Sequence, residues 1–253
     1  MALAAVSVLS ACGGGVGSPP APDPAEFDTL VAGDVLLGAQ ERLYRAQSDC
    51  TGSVCTVTYR GESVTVDLLE VDPEGEASGT TVTGRQERNG VQTGRLGASD
   101  GATRFDAFGV WGDWKAATTG AGSTVLEGID TRFVVPMSVG QGSGSNPVSG
   151  GVSWTGAMTG VRFGDAGLGA EVSGDAAMAV DLEGVSLDLA FTGIAELESG
   201  DGVGDIGWRG VPMEEGSFRD EGLDGRFYGP AHEEAGGVFE RDGIAGAFSL
   251  KRD

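Results

Sequence analysis

The chain has 253 residues with 38 acidic and 16 basic side chains, giving a formal charge of -22. Such a chain is repelled by phosphate backbones and anionic membrane surfaces, which excludes nucleic acid as a natural partner. Its 40% apolar content can build a core, and 46 glycines without a collagen period point to many short strands and tight turns.

At the start, Leu3 to Leu9 form an apolar run well short of the ~20 residues of a membrane-spanning helix. The run ends in Leu9-Ser10-Ala11-Cys12, which is similar to a bacterial lipoprotein lipobox. Small residues at Ser10 and Ala11 admit a signal peptidase, and Cys12 carries the side chain that can be thioether-linked to diacylglycerol. With no Lys or Arg ahead of the run, residues 1–11 read as a truncated signal peptide. Residues 12–24 then read as the lipidated cysteine and a flexible Gly/Pro tether, spanning roughly 40 Å at ~3.3 Å per residue when stretched. This pattern implies a lipid-anchored protein of the bacterial outer membrane, exposed at the cell surface, with the periplasmic face as the alternative.

Residues 25–140 read as a β-rich, handle-like subdomain. Its one irregular stretch, Phe27 to Arg45, fits a short helix around Leu37 to Arg45. Setting Cys12 aside leaves Cys50 and Cys55, most simply a disulfide in an exported chain, because no further Cys or nearby His completes a metal site. Next, Val57, Tyr59, Val64, Val66 and Leu68 alternate with polar residues. A Gly61-Glu62 turn would set Tyr59 opposite Val64 and Val57 opposite Val66. Phe105 to Trp114 reads as a buried aromatic strand, and Gly140 to Gly151 as a linker.

Residues 150–253 carry two further hairpins. Met178, Val180 and Leu182 align with Val185, Leu187, Leu189 and Phe191 across Glu183-Gly184, leaving Asp181, Ser186 and Asp188 to face away. Asp242-Gly243 is a favoured type I′ pair and places Phe239 opposite Gly246, on the face of Ile244 and Phe248. The strand candidates are 152–158, 160–163, 169–172, 177–182, 185–191, 204–209, 225–228 with 237–239, and 244–250.

Within this part, Phe227-Tyr228-Gly229-Pro230-Ala231-His232-Glu233-Glu234-Ala235-Gly236-Gly237-Val238-Phe239, followed by Gly246-Ala247-Phe248, resembles the barrel signature of transferrin-binding protein B. His232 departs from the alanine usual there. Asn146 to Gly160, with Trp154 and Gly156, resembles the strand that opens the same barrel, and Phe105 to Trp114 the strand that precedes it. The resemblance implies an all-β fold: an antiparallel eight-stranded β-barrel, filled by side chains, after a smaller β-rich handle. It implies structural roles for Trp154, Gly156, Phe227, Tyr228, Gly229, Pro230, Glu234, Gly236, Gly237, Phe239, Gly246 and Phe248.

A single histidine, His232, and no free cysteine leave no nucleophile-base pair, so no catalytic residue, metal ligand or cofactor is assigned and the chain reads as a binding protein. The leading function is capture of a host or environmental ligand, whether an iron carrier, haem or a protein, for a partner transporter such as a TonB-dependent receptor. The runner-up is a surface-shielding or structural lipoprotein that binds a regulatory protein, and third a hydrolase working through two carboxylates. Acidic loop candidates for a basic partner are Glu196, Glu198, Asp201, Glu214 and Glu215.

Overall fold

The computed structural model describes residues 28–31, 35–37, 43–44, 47–52, 54–59, 61–67, 80–99, 103–126, 129–149, 153–163 and 169–253. The predicted signal segment, Cys12, the predicted tether and Leu68 lie outside the described residues. All the elements described are strands. The first eleven are β1 (Asp28–Val31), β2 (Val35–Leu37), β3 (Leu43–Tyr44), β4 (Gln47–Thr51), β5 (Val54–Tyr59), β6 (Glu62–Asp67), β7 (Thr80–Arg88), β8 (Val91–Ser99), β9 (Thr103–Trp111), β10 (Lys115–Leu126) and β11 (Ile129–Gly140). An eight-stranded sheet runs β3-β2-β11-β10-β9-β8-β7, with β1 also paired to β11. Strands β4, β5 and β6 form a separate sheet, in which Cys50 lies opposite Cys55 and the two are joined as a disulfide.

The remaining strands are β12 (Ser153–Arg162), β13 (Glu171–Asp181), β14 (Ser186–Glu196), β15 (Ile206–Glu214), β16 (Ser217–Asp220), β17 (Leu223–Tyr228), β18 (Glu234–Arg241) and β19 (Ile244–Arg252). They pair antiparallel in chain order, and β19 returns to β12, from Trp154 opposite Arg252 to Arg162 opposite Ile244, closing a barrel without free edges. Inward positions fill the lumen with rings. Phe191 lies at the centre of these contacts, with its centroid 4.8 Å from Phe239, 5.3 Å from Phe248 and 5.6 Å from Trp208. Trp154, Phe218 and Phe227 continue the stack. Tilted and edge-to-face pairs of this kind add about 0.5–1.5 kcal/mol each beyond the area they bury. Gly246 is required by this packing, since a Cβ there would stand 2.5 Å from the Phe239 ring.

Outward positions divide the barrel in two. On β13 the buried-exposed alternation is kept, with Ala177, Ala179 and Asp181 exposed. Strands β12, β18 and β19 are buried on both faces over most of their length, because their outward residues meet the handle sheet instead of water. There Ala157, Val238 and Ala247 pack with Val91, Val110 and Ala117, and Val161 packs with Val134. The sequence anticipates this division: outward sites are small or apolar where the handle covers them and often polar where it does not.

Several predicted details are corrected. The Val57 hairpin turns at residues 60–61, not at Gly61-Glu62, so Val57 faces Val64 and Tyr59 faces Glu62. That two-residue slip keeps Val57, Val64 and Val66 buried, and Gly61 takes its φ of +89° as the second turn residue. The Met178 hairpin has the predicted register, Met178 opposite Leu189 and Val180 opposite Leu187, but a longer turn. Val185 sits in that turn, exposed and with φ +49°, rather than facing the core. Of the helix expected around Leu37 to Arg45, residues 38–42 and 45 lie outside the described residues, and the described ones are strand instead, in β2 and β3, paired through Leu36 with Tyr44 and Leu37 with Leu43. Apolar residues at that spacing serve both periods, and pairing of β2 with β11 selects the strand.

The predicted strand list is redivided as well. The segments predicted at 152–158 and 160–163 merge into one strand, β12, over Ser153–Arg162, and 169–172 with 177–182 fall largely in β13. The segment taken as one strand near 225–239 is two, β17 and β18, and β16 was unpredicted. The Asp242-Gly243 hairpin is as predicted, with Phe239 opposite Gly246 and both turn residues at positive φ.

Candidate functional site

The signature residues converge where handle and barrel meet. Phe227, Phe239 and Phe248 point into the lumen, while Tyr228 and Glu234, opposite each other on β17 and β18, face the handle. The Tyr228 hydroxyl lies 3.1 Å from that of Ser138 on β11. Glu234 is fully buried, and its carboxylate accepts the backbone N–H groups of Asp113 and Trp114, the latter at 3.0 Å. These amides belong to the short turn between β9 and β10. The first residue of β10, Lys115, is also fully buried and donates from Nζ to the Phe248 carbonyl. Its Nζ stands 5.4 Å from the Phe248 ring centroid and 5.9 Å from that of Tyr228. Gly236 makes room for it, because a Cβ there would overlap the ammonium.

Burial dominates the charges of both groups. It pushes the Glu234 carboxyl up to about 7, against the opposing pull of the two amide bonds and of Lys115. Burial also pulls the Lys115 ammonium well below the usual lysine range, with Glu234 acting against the shift.

The Gly229-Pro230 turn ties the linker to this seam. Gly229 N–H donates to the Gln141 carbonyl at 2.9 Å, Ser143 N–H donates to Phe227 at 2.9 Å, and His232 Nε2 lies 2.9 Å from the Ser145 carbonyl oxygen. Trp154 Nε1 donates to the His232 carbonyl at 2.9 Å, so the barrel's opening strand joins the same knot. His232 therefore packs in a turn, edge-on to Phe227, and Glu233 folds back to accept the Ala231 N–H. The two adjacent glutamates point to different partners, as expected for neighbours at the start of a strand.

The acidic loop candidates fall into two groups at opposite ends of β15. Glu196, Glu198 and Asp201 lie where the chain passes from β14 toward β15, and Glu214 and Glu215 where it turns from β15 to β16. A nine-residue strand separates the groups by roughly 30 Å. Glu196 is already engaged: it pairs with Arg162 and accepts from Ser199 at 3.0 Å, and the Arg162 bond holds its carboxyl below the usual range. Glu198, Asp201, Glu214 and Glu215 are exposed. Glu214 and Glu215 border a cleft of about 530 Å³ shared with Gly142, Pro212, Arg219 and Arg226. Glu196 and Glu198 border a second cleft, also about 530 Å³, with Arg95 and Glu171.

Sequence reasoning missed Lys115. The available signal is compositional: the chain has only two lysines, Lys115 and Lys251, among its 16 basic residues. Both reach the seam, Lys251 through an exposed pair with Asp113 at 3.2 Å.

No family model and no curated protein matches the sequence. Solved structures of similar shape are found. Transferrin binding protein B of Neisseria meningitidis, isotype 1, is 16% identical with a TM-score of 0.42, over 90% of this chain and 43% of that one. A mutant transferrin binding protein B of Haemophilus parasuis is 14% identical with a TM-score of 0.38, over 88% of this chain and 45% of that one. The N-lobe domain of lactoferrin binding protein B of Moraxella bovis is 11% identical with a TM-score of 0.37, over 89% of this chain and 99% of that domain. The chain thus spans less than half the length of the two transferrin binding proteins and nearly all of the single lobe.

Proposed function

We propose that this protein is a lipid-anchored binding protein of the bacterial outer membrane, displayed at the cell surface, that captures a protein or iron-carrier ligand for a partner transporter. The observation that carries the reading is the filled lumen. Because rings occupy the barrel interior, recognition falls to exterior loops, which can vary without disturbing the scaffold. Handle and barrel, packed on each other, hold those loops in fixed positions. The exposed acidic residues Glu198, Asp201, Glu214 and Glu215 give the loops the charge that steers a basic partner.

The test uses residues 25–253 as bait, followed by association kinetics of the captured protein. Association is expected to slow markedly between about 0.1 M and 1 M salt, as the screening length falls from about 10 Å to about 3 Å. Glu198→Gln with Asp201→Asn, or Glu214→Gln with Glu215→Gln, should reproduce part of that slowing at low salt and identify which end is used. Salt-independent association, unchanged by either pair, would remove the electrostatic steering from the proposal.

The anchor has its own test. With a complete signal peptide supplied, Cys12→Ser should lose acylation and move the protein from the membrane to the soluble fraction. Membrane retention of that variant would overturn the lipoprotein reading.

A further inference from the structure

We propose that Asn89 is a self-modifying site, at which loss of the side-chain amide releases the β7–β8 hairpin from the barrel. Asn89 and Gly90 form the turn between β7 and β8, with φ of +49° and +79°. The Asp242-Gly243 turn has nearly the same angles, +51° and +73°, so this geometry takes aspartate as readily as asparagine. What aspartate cannot supply at position 89 is a donor. Both hydrogens of the Asn89 amide are used by the barrel: Nδ2 donates to the Gly156 carbonyl on β12 at 3.0 Å and to Asp175 Oδ1 on β13 at 2.9 Å. Arg88 joins the same clasp, donating from Nε to Asp175 at 2.7 Å and from Nη1 to Ser173 at 3.4 Å.

The residue that lets the turn form also makes the asparagine reactive, because Gly90 has no side chain to shield its own nitrogen. That nitrogen attacks Asn89 Cγ, and the new C–N bond closes a succinimide ring. The bond from Cγ to Nδ2 breaks, and the Gly90 amide proton leaves with it as ammonia. Water then adds to one of the ring carbonyls. Addition at Cγ gives aspartate, and addition at the main-chain carbonyl gives isoaspartate, in which the chain runs through Cβ and Cγ. Nothing is oxidised or reduced, and water, the sole co-reactant, reaches both residues because they are exposed. The other asparagine of the chain, Asn146, precedes Pro147, whose nitrogen has no proton to give up, so no ring closes there.

Either product undoes the clasp. A carboxylate only accepts, so the Gly156 carbonyl and Asp175 lose their donor, and two carboxylates stand where an amide met one. The neighbouring cations are already paired, Arg88 with Asp175, and Lys251, whose side chain lies beside Gly90, with Asp113. Isoaspartate also lengthens the main chain of a turn whose flanks, Arg88 opposite Val91, leave no slack. The docked amide is meanwhile the protected one, since Cγ cannot swing onto the Gly90 nitrogen while both amide hydrogens are held. Reaction therefore starts from a hairpin lifted off the barrel by local opening, and its product cannot dock again.

The experiment incubates the full chain at mildly alkaline pH beside a synthetic peptide of residues 85–94 and follows both by peptide mapping and mass spectrometry. Asn89 should convert in the chain, more slowly than in the peptide, to aspartate and isoaspartate, with Asn146 unchanged. Asp175→Ala, which removes one of the two acceptors, should bring the rate in the chain toward that of the peptide. In aged wild-type protein, amide hydrogen exchange over residues 86–93 should be faster in modified than in unmodified molecules, while β14 and β15 exchange alike in both. Asn89→Asp, which suits the turn, should show the same faster exchange. An Asn89 that stays intact in the chain through complete conversion of the peptide would overturn the modification site. Equal exchange in modified and unmodified wild-type molecules would overturn the release, and that comparison requires no variant to fold.

Discussion

Replacing Phe248 with alanine is expected to destabilise the protein by about 3–5 kcal/mol, the range for a fully buried aromatic. The ring has no exposed surface, touches Phe191 at 5.3 Å and Phe218 at 6.4 Å, and lies beside the Lys115 ammonium. A cavity left there has little means of collapsing. In a closed barrel, strand number and stagger fix the radius, so the walls cannot move inward to refill the lumen. The cost should accordingly sit toward the upper end of the range, and Phe248→Leu, which keeps most of the volume, should cost distinctly less. Urea unfolding of the full chain measures both. A Phe248→Ala variant as stable as the parent would mean that the rings do not fill a closed lumen.

The barrel was legible in the sequence where two signals agreed. At Asp242-Gly243 the turn chemistry and the period-two alternation select the same register, and Phe239 falls opposite Gly246. At Gly61 alternation alone tolerated a slip of two residues, so the residue faces were right and the partners wrong. The four-residue strand β16 escaped notice because Phe218 is its sole inward apolar residue. Strands β12, β18 and β19 lose their alternation because the handle buries their outward sites, and a doubly buried strand shows no period.

Part of the candidate site had no local signal at all. Lys115 reads as an ordinary charge beside a strand, and only the arrival of β18 and β19 from more than a hundred residues away buries it. Glu234 could be found through its place in the signature, but its partners, the amides of Asp113 and Trp114, carry no side-chain identity that a sequence displays. The acidic loops were found one by one. Their separation to opposite ends of β15 follows from strand direction, which depended on resolving β15 and β16 correctly.

Removing the handle is expected to weaken the barrel and make it stick to itself. Residues 150–253 retain every pairing that closes the barrel, so the fragment should still unfold cooperatively with a β-type circular dichroism spectrum. It would, however, expose Ala157, Val161, Val238, Ala245 and Ala247, all at most 2% exposed in the full chain, together with the unpaired polar atoms of Glu234. Uncovering these two valines and three alanines forfeits on the order of 5 kcal/mol at about 25 cal/mol per Å². The contiguous apolar strip they form is the kind of surface that drives association. Sedimentation velocity should therefore show concentration-dependent oligomers of the fragment, while the full chain shows none that this strip mediates. Val161→Lys with Val238→Lys supplies the deciding comparison, because the same two changes should act in opposite directions. In the fragment they place charges on a wet surface and should restore a monomer, whereas in the full chain they force two ammonium groups into the seam and should lower its stability by several kcal/mol. Equal effects in both contexts would show that the strip is not the surface the handle covers.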